Sequence, residues 1–409
     1  MSRQSATTRR GVLRAVGGGA ATGLAAGSVR GGTKNVGVGG DRRDGDTVVV
    51  NVGFDPATDI GGPDVVRRVA TRLVRQFSFD ALTVELPRDA VTALRQRPEI
   101  RYVETNGTMR TYQQSTVQTI PYGITRIGAQ LAREAGITGD GVDVAVIDSG
   151  IDSDHPDLQA NLGEGRAFVN CRGRPRLCRV AGNRNACKAD WDDDDNHGTH
   201  CAGVVAAVDN DEGVVGVAPE ATLHAVKVIY CAGVGLVSDI AAGIEYVADQ
   251  GWPVASLSFG SQRPTNLIRD ACAYAAEEGV LLVAAAGNGR GRPNTVGFPA
   301  TLPSVLSVSA VDRSGGFAPF SSTGPRIDIT APGANIRSTV PGGYRQYSGT
   351  SMACPHVAGA AALLVSTGLS PAEARERLVG TADDLGLEQI RQGAGLLNVA
   401  AALDLDDNL

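Results

Sequence analysis

Five short apolar runs, residues 142–147, 222–228, 254–258, 280–284 and 305–311, most constrain what the rear of this chain can fold into. Apolar residues are nearly continuous within each run and do not alternate with polar ones, as expected of strands buried on both faces. Helical stretches near Gly203, Ser238 and Leu267 separate them. Strands joined through helices lie parallel, so the fold class expected for residues 113–409 is α/β, a mostly parallel sheet with helices on both faces. Functional groups in such sheets collect at the carboxyl ends of the strands. Asp148 ends the first run and Asn288 follows the fourth.

Two small-residue segments belong with Asp148. Gly349-Thr350-Ser351-Met352-Ala353-Cys354-Pro355-His356 is a tight turn running into an alanine-rich apolar helix. Ser351 thus lies at a helix N-terminus, where free N–H groups and the positive end of the dipole favour an oxyanion. A plain helix cap is the rival reading of such a serine. Asn196-His197-Gly198-Thr199-His200 opens a second helix and supplies a base. An acid, a base and a hydroxyl in the order Asp148, His197, Ser351 match one of the three unrelated chain orders known for hydrolytic triads.

The residues Val146-Ile147-Asp148-Ser149-Gly150, His197-Gly198-Thr199-His200, the Ser351 turn and Ala285-Ala286-Gly287-Asn288-Gly289 together resemble the subtilase family of serine proteases, over about residues 113–400. The resemblance implies a subtilisin-like three-layer fold with one left-handed crossover, an exception to the usual handedness. It implies Ser351 as nucleophile, His197 as base, Asp148 as orienting acid and Asn288 as side-chain donor to the oxyanion. Protein and peptide substrates would pair between Gly233-Val234-Gly235 and Ser258-Phe259-Gly260, with Gly297 at the base of a pocket for large apolar residues. The loop 208–214 resembles the family's structural calcium site. By that resemblance Gln118, Asp157 and Asn210 offer side-chain oxygens, and Val208, Glu212 and Val214 offer carbonyls. Asp328 is a candidate for a weaker second cation site. Asp192 to Asp195 read as a solvated acidic loop, Asp152 and Asp154 as shaping the loop after the first strand, and His200 and His356 as structural.

Ahead of this part stand three further segments. Residues 1–28 carry Arg9-Arg10 before a weakly apolar Gly/Ala run and read as a twin-arginine (Tat) export signal, implying secretion; the run is too short and too poor in large side chains to span a bilayer. Residues 29–46 form a Gly- and charge-rich linker. Residues 47–112 read as a small ferredoxin-like α+β domain: strands at 47–52 and 79–86, an amphipathic helix over 63–77, a short helix from Arg88 and a strand at 100–104. In position it resembles the subtilase pro-segment, an intramolecular inhibitor and folding chaperone, with cleavage near Tyr112-Gln113.

Net charge is −6, and its uneven distribution puts the basic excess in the first 112 residues and the acidic excess behind them, so the two parts attract. No basic patch suggests nucleic acid, and a monomer without a membrane anchor is expected. The acidic catalytic part, with Lys34, Lys188 and Lys227 the only lysines, resembles the halolysins of salt-loving microbes. Of seven cysteines, Cys171, Cys178 and Cys187 lie in an apparent insertion where one disulfide is expected; pairing among these, Cys231 and Cys272 is open. The intervals do not suit zinc. Cys201 and Cys354 read as buried thiols. Two rival functions are a catalytically silent peptide-binding protein and a metal hydrolase built on His197, His200 and the nearby aspartates, although the His pair lacks the metalloprotease interval.

Overall fold

The computed structural model describes residues 47–55, 61–77, 80–106, 118–172 and 185–405. The export-signal, linker and cleavage-site readings, and Cys178, lie outside them. The chain divides into two compact units, Met1–Tyr112 and Gln113–Leu409.

In the first unit, β1 (Thr47–Phe54), α1 (Gly62–Val69), β2 (Arg72–Gln76), β3 (Ala81–Pro87), α2 (Arg88–Arg95) and β4 (Ile100–Thr105) form a four-stranded sheet in the order β2-β3-β1-β4. All its pairings are antiparallel. Val50, Val52, Val66, Leu82, Val84 and Leu94 make its core. The helix expected over 63–77 is corrected: it stops at Val69, and Arg72–Gln76 is an edge strand. Ala70 is extended, Thr71 donates through both N and Oγ1 to the Glu85 carbonyl, and Arg72 bonds the Glu85 carboxylate at 2.9 Å. Pairing with β3 therefore replaces the helical bonds that the apolar spacing alone suggested.

The second unit begins with α3 (Tyr122–Arg126) and α4 (Ala129–Glu134). Its sheet comprises β5 (Asp143–Asp148), β6 (Arg166–Ala167), β7 (Thr222–Lys227), β10 (Val254–Leu257), β11 (Leu281–Ala285), β12 (Val305–Val311) and β13 (Ile329–Pro332). The short hairpin β8 (Ile229–Tyr230) and β9 (Val234–Gly235) lies between β7 and β10 in the chain. Strand order is β13-β12-β11-β10-β5-β7-β6, with every pairing parallel. Alternate residues of β5 feed opposite cores: Val144 and Val146 pack with α5 (His197–Ala206) and α8 (Thr350–Ser366), Ala145 and Ile147 with α6 (Val237–Gln250) and α7 (Asn266–Glu277). Both faces are thus covered, and the continuous apolar runs follow from that.

The chain leaves β5 toward β7 on one side and later returns to build β10 through β13 on the other, so the order reverses at β5. A crevice is expected outside the strand ends at such a point. Asp148 ends β5, Ser258 follows β10, and α8 contacts β5 and β10 through β13 from one face. Among the described residues no single helix is long and apolar enough to cross a membrane.

Candidate active site

His197 is the first residue of α5, and its Nδ1 meets Asp148 at 2.8 Å (Oδ1) and 3.0 Å (Oδ2). The backbones can approach this closely because residue 198 is glycine, whose missing Cβ would lie 2.2 Å from the Gly150 carbonyl. Asp148 is buried, whereas the His197 side chain is 31% exposed. Burial opposes the charge on His197, but the Asp148 carboxylate outweighs it and raises the imidazole well above its ordinary pKa.

The acidic loop is not solvated, a correction to the sequence reading: Asp192, Asp193 and Asp194 are buried, and Asp195 is partly so. Asp193 Oδ1 accepts from Ser149 Oγ and from the N–H groups of Asp195 and Asn196, while Oδ2 accepts from Thr199 N and Oγ1. Ser149 Oγ in turn accepts from Gly198 N at 2.9 Å. One carboxylate therefore holds both the turn after Asp148 and the start of the helix bearing His197. Behind it, Lys227 Nζ donates to Asp194 Oδ1 (2.6 Å), the Ser149 carbonyl (2.5 Å) and the Ile229 carbonyl (3.1 Å). Burial raises Asp193, and burial with the neighbouring Asp193 charge pushes Asp195 up to about 7.

Ser351 is the second residue of α8. Its Oγ donates to the Ser258 carbonyl at 3.0 Å. Asn288 Oδ1 accepts from Thr350 N (3.1 Å) and Thr350 Oγ1 (3.3 Å), and Thr350 Oγ1 accepts from Gly287 N. With the oxygen so engaged, the Asn288 Nδ2 donor is turned the other way. Ser351 and Asn288 line an open cleft of about 840 Å³ together with Ser258, Phe259, Gly260 and Gly297. The nearest atoms to a Cβ on Gly297 would be the Ser261 and Ala286 carbonyls and Gln262 Nε2, all beyond 3.5 Å, so the glycine leaves usable space there. Gly233 and Gly235 do not line that cleft; they sit on the β8–β9 hairpin, where Val234 is exposed.

His200 and His356 do other work. His200 Nε2 bonds the Ile336 and Arg345 carbonyls and its ring stacks on Tyr347; His356 Nδ1 bonds the Met352 carbonyl. Burial lowers them to about 3 and about 4. Asp152 is buried with Asn185 on its carboxylate and is pushed up to about 7 by burial and Asp154, which pairs with Lys188. Asp328 accepts from Ser307 N and faces Arg375 at 3.6 Å, so its counter-charge is a guanidinium. Cys171 and Cys187 form a disulfide, Cys231 is also disulfide-bonded, and Cys201, Cys272 and Cys354 are buried thiols.

Around loop 208–214, Asp157 Oδ2 accepts from Val214 N at 2.9 Å, while Asp157 Oδ1 is buried with no hydrogen-bond partner among the described residues. Gln118 Nε2 donates to the Val208 carbonyl at 2.8 Å, and Asn210 Oδ1 accepts from Glu212 N.

The family model for subtilases matches residues 139–396. The chain belongs to the subtilase family. It is 41% identical to Subtilisin E of Bacillus subtilis (strain 168) over 345 residues, 83% of this chain and 85% of that protein. It is 42% identical to an alkaline protease of Alkalihalobacillus alcalophilus over 339 residues, 82% of each. Alkaline elastase YaB of Bacillus sp. (strain YaB) is 41% identical over 334 residues, 81% of each. This subtilase is a serine endopeptidase with the subtilisin-like α/β fold. The sequence alone suggests no role for Thr350, whose N and Oγ1 hold Asn288 Oδ1, or for Lys227 behind Asp148, and it puts Asp193 in a solvated loop. For Lys227 the available signal was a lysine inside an apolar strand.

Proposed function

We propose that this subtilase hydrolyses peptide bonds through Ser351, His197 and Asp148, with Asn288 as oxyanion donor. The observation that carries the reading is an Asp148-bonded imidazole on α5, whose neighbour Cys201 reaches both that imidazole and the carbonyl of the helix-N-terminal Ser351, beside an asparagine whose oxygen is tied back. Ser351 Oγ attacks the scissile carbonyl, breaking its π bond, while His197 takes the hydroxyl proton. Asp148 fixes the tautomer and stabilises the imidazolium. Asn288 Nδ2 and the Ser351 N–H at the start of α8 receive the oxyanion, and His197 then protonates the leaving amine. Water repeats the sequence on the acyl-enzyme. For the attack, Ser351 Oγ exchanges its hydrogen bond to the Ser258 carbonyl for one to His197. The Gly297 pocket suits a large apolar side chain before the scissile bond.

Residues 47–112 act as inhibitor and chaperone of a self-processing zymogen, and residues 1–28 direct secretion by the Tat route. Similarity to Subtilisin E over 345 residues, more than the second unit contains, supports a shared leading segment. The acidic, lysine-poor composition supports work in high salt.

Calcium fits loop 208–214 because the orphaned, buried Asp157 Oδ1 needs a positive partner. Asp157, Asn210 and the Val208, Glu212 and Val214 carbonyls would hold it, with the Gln118 amide turned over to offer Oε1. When bound, the ion is a structural crosslink between loop 208–214 and the segment at Gln118.

Intact mass and casein hydrolysis, for wild type and Ser351→Ala refolded with calcium in high salt, test the reading. Wild type should lose about the first 112 residues and digest casein, while the variant remains full length. An uncut, inactive wild type would favour a peptide-binding protein.

A further inference from the structure

In an α-helix the carbonyl of residue 351 would accept the N–H of residue 355. Here residue 355 is proline, within α8, and has no N–H. A carbonyl stripped of that bond at the edge of a packed site is destabilising if nothing replaces it. Two side chains from other elements do: Ser258 Oγ donates to the Ser351 carbonyl at 2.9 Å and Cys201 Sγ at 3.4 Å. Both donors are buried. Ser258 follows β10, and Cys201 lies one turn after His197 on α5.

We infer that Ser258 is a positioning residue for the nucleophile, with Cys201 as its weaker partner, and that Pro355 is what makes the Ser351 carbonyl available to them. The inference rests on the protease reading above. An ordinary helical bond would tie Ser351 only to its own helix. The freed carbonyl instead ties it to the pocket wall through Ser258 and to the helix of the base through Cys201. The Ser351 carbonyl, N–H and Oγ share one Cα, so anchoring the carbonyl fixes the oxyanion donor and the nucleophile together. The contact with Ser258 is reciprocal, since Ser351 Oγ donates to the Ser258 carbonyl. The thiol is the weaker of the two donors, so the hydroxyl carries most of the restraint.

Processed Ser258→Ala, Pro355→Ala and the double variant are compared with wild type by active-site titration with a sulfonyl fluoride, kcat and KM on a chromogenic peptide, and melting temperature. Ser258→Ala should lose about tenfold in kcat, with KM within about twofold because the Ser258 backbone is intact. The double variant should recover part of that loss, because an alanine at 355 restores the helical donor to the Ser351 carbonyl. A buried serine with a merely structural role predicts no such recovery. Unchanged kcat in Ser258→Ala, or a loss that Pro355→Ala does not relieve, overturns the inference. If Ser258→Ala does not fold, Cys201→Ala decides, its smaller loss again requiring relief by Pro355→Ala. A wild type that neither titrates nor cleaves would instead overturn the protease reading.

Discussion

Replacing Lys227 by methionine removes an ammonium group that is wholly enclosed. Its side chain is 0% exposed, that of Asp194 is 5% exposed, and its three protons are committed to Asp194 and to the Ser149 and Ile229 carbonyls. Methionine fills similar space, so the cost is electrostatic: a buried carboxylate keeps its Arg172 N–H donor at 2.6 Å but loses its counter-charge. Breaking one side of such a pair costs about 3–5 kcal/mol. With an unfolding entropy of about 2.1 cal/mol/K per residue, a unit of roughly 300 residues would melt about 5–8 °C lower. Because Lys227 stands opposite Asp148 in the β5–β7 register and holds the next residue's carbonyl, turnover should fall as well. Melting is best measured in a Ser351→Ala background to prevent autolysis. Lys227→Met with Asp194→Leu should cost less than Lys227→Met alone, since neither charge of the pair remains. A single variant melting within about 2 °C of its parent, or strictly additive losses, would refute the argument.

Three further outcomes follow from the site. The base works only when neutral, so with the His197 pKa raised, kcat/KM should climb with pH through a limb above the ordinary imidazole value of 6.5; Asp148→Asn should move that limb down and cut kcat about 10⁴-fold. Asp195 has a folded pKa of about 7 against 3.8 unfolded, so its ionisation lowers stability progressively as pH rises from about 4 to 7. Asp195→Asn should therefore melt higher than its parent at pH 8, an advantage that shrinks toward pH 4; a pH-independent difference contradicts this. Gly297→Val narrows the pocket and should lower kcat/KM for a peptide with phenylalanine before the scissile bond by about 10–200-fold relative to alanine, measured on paired chromogenic substrates.

Much of this was legible in sequence. The short apolar runs pointed to a sheet covered on both faces, since strands that do not alternate apolar with polar residues present no solvent face. Small residues at 197–203 and 349–359 marked helices that pack closely, and positions 148, 197, 288 and 351 fell at strand ends and helix starts because such sheets open there. Local pattern failed where long-range pairing decided. Arg72–Gln76 carries helical spacing, yet the open edge of β3 made it a strand. Four consecutive aspartates looked like a solvated loop, because charge alone reports hydration and not the partners a fold supplies. Only the tertiary structure brought Lys227, Ser149 and the start of α5 around Asp193 and Asp194, since those partners lie on β7, after β5 and on α5. The use made of Pro355 was likewise hidden: the sequence shows a missing N–H, but which groups take the freed carbonyl depends on how β10 and α5 pack against α8.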